Sequence, residues 1–373
     1  MYVPIIKTGE AEVKAIEHLS AEMLDAITPI IELTRGRQKT VSLGDEKIVT
    51  FPYDKRLSTI KESFKGRTVF LDLTSDENLL SNEIYELYDY SNGYDNWCTF
   101  VENHVGEEGF KKIIPSILFN WNDDKFEDNF KLQIQRLSGN CKSMMYRSSI
   151  QAKDCYDELP MILDYLPNDC ELWIVLDGGY IQDSAVDLAF ERCAKRIRNI
   201  TDKILKDKNN VVKFVIATTS YPERVFDYSE SSPITISHSE VRLFEKLREE
   251  FPNIVYGDYA GINPIRKDLV VMARGWIPRI DIPLFYETKV YWKRRPKGIT
   301  EYKSTYVRVA EEVVNDEQFP ITLRDKWGYD MIISCAEGNV ISCVPGFWIS
   351  VRVYNHIYQQ IQRLCKSDSQ TII

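Results

Sequence analysis

The stretch VVKFVIATTSYPE, Val211–Glu223, carries an apolar run straight into two threonines, a serine and a proline. An unbroken apolar run of this length marks a strand covered on both faces, the habit of parallel sheets. Its polar end has two local explanations. Ser220 is placed to cap a helix opening near Pro222. Alternatively, the hydroxyls form a rim at the carboxyl end of a barrel strand, where barrel enzymes keep their chemistry.

Similar runs recur along the chain, mostly about 25–40 residues apart. They are YVPIIKT (2–8), TPIIELT (28–34), TVFLDLT (68–74), KIIPSILF (112–119), KSMMYRS (142–148), LWIVLDGG (172–179), KFVIATTS (213–220), NIVYGDYAG (253–261) and PLFYETKV (283–290). The segments between them read as helices. VDLAFERCAKRIRNITDKIL is amphipathic, and SHSEVRLFEKLREEFPN opens on a capping-box pattern, Ser237-x-x-Glu240. Strand–helix alternation on this scale predicts an α/β fold with a parallel sheet, closed as a TIM-like (β/α)8 barrel over residues 1–292. Nine runs compete for eight barrel positions, so one lies outside or is no strand. No strand–GxGxxG–helix or P-loop appears, which weakens a nucleotide-binding open sheet. RGRQKTVSLGDEKIVTFPYDKR (35–56) reads as an extended loop. Residues 293–373 read as a small α+β extension packed on the barrel. In it, a helix is followed by two strand-like pieces, DMIISCAEG and NVISCV, and a final helix.

Composition narrows the setting. The 373 residues are 44% hydrophobic, enough for one large core and a smaller second one. No apolar run of about 18 residues suggests a membrane span, and the opening MYVPIIKTGEAEVKAIEHL lacks a signal-peptide pattern. The eight cysteines are scattered, without CxxC or Cys/His clusters; free thiols in the cytoplasm are the expectation. A net charge of −9 speaks against broad nucleic-acid binding. The one dense basic run, YWKRRPKG (291–298), reads as a solvated turn or as a phosphate or partner contact.

Polar side chains stand at or near the carboxyl ends of the runs: Lys7, Glu32, Asp72, Ser116, Arg147, Asp177, Ser220 and Asp258, with Tyr286, Glu287 and Lys289 in the ninth. In a barrel the last inward layer of each strand faces the mouth. Charges near an apolar core must pair or do chemistry. Glu32, Asp72, Asp177 and Asp258 are the candidate acid/base groups. Of these, Glu32, Asp72 and Asp177 are the candidate ligands for Mg2+ or Mn2+. Lys7, Arg147, Ser220, Tyr259, Tyr286 and His356 are candidate substrate contacts, with Arg147 as a phosphate clamp. This set suits a metal-assisted hydrolase or phosphodiesterase. A metal-free variant would pair one carboxylic acid of raised pKa with one carboxylate base. Capping and internal ion pairing explain the same residues without chemistry, and no histidine stands at a strand end.

The opening MYVPIIKTGEAEVKAIEHLS…ITPIIEL, the LDG at Asp177, ATTSYP, YGDYAG, FYETKVYW and the closing WGYDMI…FWISVRVYNHI together resemble the beta protein family of phages and bacteria, across nearly the whole chain. Here Trp327-Gly328 is followed by Tyr329 before Asp330, and His356 stands alone, two departures from the family pattern. The resemblance implies a setting in phage–host conflict, with partners from the same defence or phage locus. Two functions fit it: an enzyme acting on a phosphate-bearing substrate, or a non-catalytic binding or scaffold subunit.

Overall fold

The computed structural model describes residues 1–43, 46–206, 208–227, 231–265 and 275–370. Thirteen strands occur among them: β1 (Tyr2–Lys7), β2 (Ile30–Leu33), β3 (Lys39–Leu43), β4 (Glu46–Thr50), β5 (Thr68–Leu73), β6 (Lys112–Pro115), β7 (Ser143–Ser149), β8 (Glu171–Tyr180), β9 (Val212–Thr219), β10 (Ile234–Ser237), β11 (Val255–Asp258), β12 (Arg279–Pro283) and β13 (Glu287–Trp292). Eight of them form one parallel sheet in the order β6-β5-β2-β1-β11-β9-β8-β7. Its two edges meet at a bridge between Ser116 and Met145, where the Ile117 N–H donates to the Met145 carbonyl at 2.8 Å. Strands neighbouring in space are thus successive along the barrel, and helices surround them: an α/β barrel of the TIM-like kind.

Successive side chains of a strand face opposite ways. Val3 and Ile5 of β1, Phe70 of β5, Met145 of β7, Trp173 and Val175 of β8, and Val215 and Ala217 of β9 fill the barrel as one apolar cluster. Phe70 meets Trp173 edge-on at 5.2 Å. The alternate residues, such as Tyr2, Ile6, Ile31, Leu71 and Ile174, face the surrounding helices. Those helices bury one stripe each. The helix Val186–Asn199 turns Val186, Ala189, Cys193, Ala194 and Ile197 inward, the spacing a 3.6-residue period requires.

Four local expectations change. Residues 39–50 pair as the antiparallel ribbon β3–β4 where a loop was expected. The ninth run lies outside the barrel and is split: Pro283 ends β12, Glu287 begins β13, and both join β10 in an antiparallel sheet of order β10-β13-β12. DMIISCAEG is mostly helix, Trp327–Ala336, with Tyr329, Ile332, Ile333 and Cys335 buried, and NVISCV forms no strand. Apolar residues clustered within two turns suit a buried helix as well as a strand. Ser237 ends β10 and starts no capping box; His238 occupies the N-cap of the helix Ser239–Glu250 and makes no side-chain cap.

A second core joins Ile280, Ile282 and Tyr291 of β12 and β13 to the helices Lys303–Val314, Trp327–Ala336 and Pro345–Gln370. The last of these opens on Pro345, whose fixed φ suits a first helical turn. It also packs against the barrel, since Val353, Tyr354 and Ile357 belong to the main core. The basic run is bonded within this second unit. Lys293 pairs with Glu312, and Arg295 lies 4.0 Å over the Tyr302 ring. No helix among the described residues is long and apolar enough to cross a membrane.

Candidate functional site

The last inward side chains of the strands converge at the barrel mouth. Lys7 of β1, Glu32 of β2, Asp72 of β5, Arg147 of β7, Asp177 of β8 and Tyr259, just past β11, form one bonded ring. Arg147 is its hub. Its NH1 donates to Glu32 Oε2 and to Asp72 Oδ2, each at 2.8 Å. Its Nε donates to Asp177 Oδ2 at 2.9 Å, and its NH2 lies 3.1 Å from the Tyr259 hydroxyl. That hydroxyl reaches Asp177 at 2.7 Å. Lys7 Nζ stands 3.1 Å from Glu32 Oε1 and donates to the Pro264 carbonyl at 2.7 Å. The outer oxygens are held too. Asp72 Oδ1 accepts from Ser116 at 2.5 Å and from the Leu73 N–H at 3.0 Å, while Asp177 Oδ1 accepts from the Gly179 N–H at 2.8 Å.

Two cations thus face three carboxylates. Burial pushes the Glu32 carboxyl up, but the Arg147 and Lys7 charges outweigh it and hold the group below its ordinary range. Burial pushes Asp72 up as well; Arg147 offsets part of that, the Glu32 charge adds to it, and the group ends above its ordinary value. Carboxylates crowding one cation commonly divide in this way. The set Glu32, Asp72 and Asp177 does not fit a divalent cation. The guanidinium fills the space between the three carboxyls, and it cannot give up its charge to admit another. Among the described residues no group of three or more His, Cys, Asp or Glu is arranged to hold a metal.

Four candidates lie elsewhere. Asp258 precedes Tyr259, so it faces outward, into a buried polar layer between β11 and the helix Pro345–Gln370. Asp258 Oδ1 accepts from the Tyr2 hydroxyl at 2.7 Å and from the Ala260 N–H at 2.8 Å. Its Oδ2 accepts from the Tyr256 hydroxyl at 2.9 Å and from His356 Nε2 at 2.8 Å. The fully buried His356 therefore belongs to this layer, not to the mouth. Gly261, at φ +72°, lets the chain pass the imidazole; a β-carbon there would come 3.1 Å from the ring. Ser220 sits in the same layer. It caps no helix, and its N–H donates to Glu240 Oε2 at 2.8 Å. Tyr286 stands in the turn between β12 and β13, 55% exposed.

Burial pushes Asp258 up, and His356 with the hydroxyl donors outweighs it, so the carboxyl is held below its ordinary range. Glu240 goes the other way: burial raises it to about 7. The protonated form then favours the fold. That contribution is complete below pH about 4.5, the ordinary glutamate value, and is lost as the pH rises through 7. Glu240→Gln keeps an acceptor for Ser220 and removes the titration. The variant should be more stable than the parent at pH 8 by on the order of 2 kcal/mol in urea unfolding, the gap closing toward pH 5. A parent whose stability is flat between those values would contradict it.

The sequence reading missed Tyr2, Tyr256, Glu240 and a related buried network in which Arg352 joins Asp281 at 2.5 Å and Asp281 accepts from Tyr221 at 2.7 Å. Strand periodicity was the available signal. Adjacent Asp258 and Tyr259 cannot both face the mouth.

Fold and site define an α/β-barrel protein whose strand-end charges are paired with one another. A family model described as Beta protein matches residues 2–362, and the chain belongs to that family. It is 27% identical over 384 residues to "Protein beta" of Enterobacteria phage P4, covering 97% of this chain and 93% of that protein. Among solved structures, the Bacillus cereus spore cortex-lytic enzyme SleL aligns with a TM-score of 0.30 and 10% identity, over 95% of this chain and 73% of that one; so slight a likeness carries no argument.

Proposed function

We propose that the chain works by binding, as a sensor or scaffold subunit alongside proteins encoded with it, in phage–host conflict. Arg147 carries this reading. One guanidinium engages Glu32, Asp72, Asp177 and Tyr259 together, while Lys7 takes the remaining Glu32 oxygen. A catalytic carboxylate needs a lone pair aimed at a substrate proton. Here those lone pairs are spent within the ring. Among the described residues a phosphate would meet no spare cation there, so the clamp expected of Arg147 gains no support. The phage origin of the similar Protein beta supports the setting, and eight cysteines without a disulfide suit the cytoplasm.

A specific observation favours a second reading. One Arg147 nitrogen bonds both Asp72, pushed up, and Glu32, held down. Metal-free acid/base hydrolases divide two carboxyls in this way. Phage plating on cells expressing the chain separates the two. The binding reading expects Glu32→Gln, Asp72→Asn and Asp177→Asn, each confirmed folded by thermal melting, to plate phage within about threefold of the parent. A loss of about 100-fold in a folded variant, the usual scale for an acid/base group, would establish chemistry at the ring. If the parent alters the plating of no phage in a broad panel, the conflict setting itself fails.

A further inference from the structure

We propose that a second site, separate from the ring, takes a small organic carboxylate in a cleft beside the barrel mouth. The cleft has a volume of about 240 Å³ and lies between the ends of β7 and β8 and the start of the helix Val186–Asn199. Ile150, Ile181, Ala185, Leu188 and Ala189 give it an apolar floor; Gln151, Tyr180, Gln182 and Arg192 give it a polar wall.

Three observations select an anion. Among the described residues no acidic side chain lines the cleft, although the chain holds 56 acidic residues against 47 basic ones. The three aspartates that adjoin lining residues in sequence are engaged elsewhere: Asp177 with Arg147 at 2.8 Å, Asp183 with Arg242, and Asp187 with Lys246 at 2.7 Å. Arg192 is exposed, and among the described residues it has neither a hydrogen bond nor an ion pair. Its planar fork matches a carboxylate in bidentate fashion. The helix adds to this. Its N-cap is Ala185, which offers no side-chain acceptor to the first turn, and Ala185 and Ala189 both line the cleft. The Val186 N–H is taken by the Asp183 carbonyl, and the positive end of the helix dipole still favours negative charge near its start.

The floor selects the rest of the ligand. Leu188 is 54% exposed at the rim, an apolar surface that a short aliphatic chain would cover. One cation balances one carboxylate; a phosphate dianion would bring a second charge with no second cation on the wall among the described residues. The site does not depend on what the ring does, because neither Arg192 nor Leu188 belongs to it.

Titration of the full chain with acetate, butyrate, hexanoate and inorganic phosphate, followed by backbone amide NMR, tests the assignment. Butyrate should saturate shifts at Arg192 and Leu188 and bind about fifteenfold tighter than acetate, from about fourfold for each of its two further methylenes. Arg192→Ala should weaken butyrate at least tenfold. Leu188→Ala should weaken butyrate and hexanoate more than acetate. Both side chains are exposed, so melting temperatures should stay unchanged. No saturable shift with any carboxylate, or an Arg192→Ala variant that binds as the parent does, would overturn the site. Phosphate binding tighter than butyrate would overturn the carboxylate assignment.

Discussion

Arg147→Met should cost the protein about 3–5 kcal/mol of unfolding free energy at neutral pH, the usual consequence of removing one partner from a buried ion-pair network. Methionine approximates the volume of the arginine stem and supplies no charge. Glu32, Asp72 and Asp177 would then face one another with only Lys7 nearby. The pH dependence has a definite sign. Glu32 is held below its ordinary value in the parent, so its contribution is present above the unfolded value and is lost as the pH falls through the folded one. The deficit of the variant should therefore be greatest near neutrality and shrink in acid, as the stranded carboxyls take up protons. Arg147→Lys should recover only part of the loss. A single ammonium keeps the charge but cannot span three carboxyls and a hydroxyl as the guanidinium fork does. Urea unfolding at two pH values measures all of this.

Asp258→Ala should be at least as damaging, by about 4 kcal/mol or more. Its carboxylate accepts from Tyr2, Tyr256, His356 and the Ala260 N–H. Each buried donor left without an acceptor costs about 1–3 kcal/mol. Tyr2 and Tyr256 lie on barrel strands and His356 on the helix Pro345–Gln370, so the loss falls on the seam between them. Amide exchange in that helix should accelerate before exchange in the barrel strands does. Equal acceleration everywhere would mean that the seam has no separate stability.

The architecture was legible because a barrel strand is apolar on both faces, and that leaves an unbroken run in the sequence. The ninth run escaped this rule. PLFYETKV is apolar at its start and alternates after Tyr286, as expected of β13, which lies in an antiparallel sheet. The ribbon at 39–50 escaped for the opposite reason: Val41, Ile48 and Val49 are exposed, so no buried face imposes a pattern. At the mouth, Lys7, Glu32, Asp72, Arg147 and Asp177 were legible as charges ending apolar runs. Their pairing was not, because it depends on Arg147 reaching across the barrel to β2 and β5. Asp258 shows the limit of counting from the end of a run. It stands at a strand end like the others, but the alternation set by Val255 and Tyr259 turns it outward. Its partner His356 is 98 residues away in sequence, on a helix whose docking no local pattern announces.

The central claim, that the ring is satisfied by itself and serves the barrel, is tested most directly by neutralising it whole. The variant combining Lys7→Met, Arg147→Met, Glu32→Gln, Asp72→Asn and Asp177→Asn removes both cations together with the three carboxylates that they hold. A self-contained network predicts that urea unfolding of this variant recovers most of what Arg147→Met alone loses, since a neutral, well-packed replacement of a buried ion network is often close to neutral in stability. A fivefold variant no more stable than Arg147→Met alone would contradict that account.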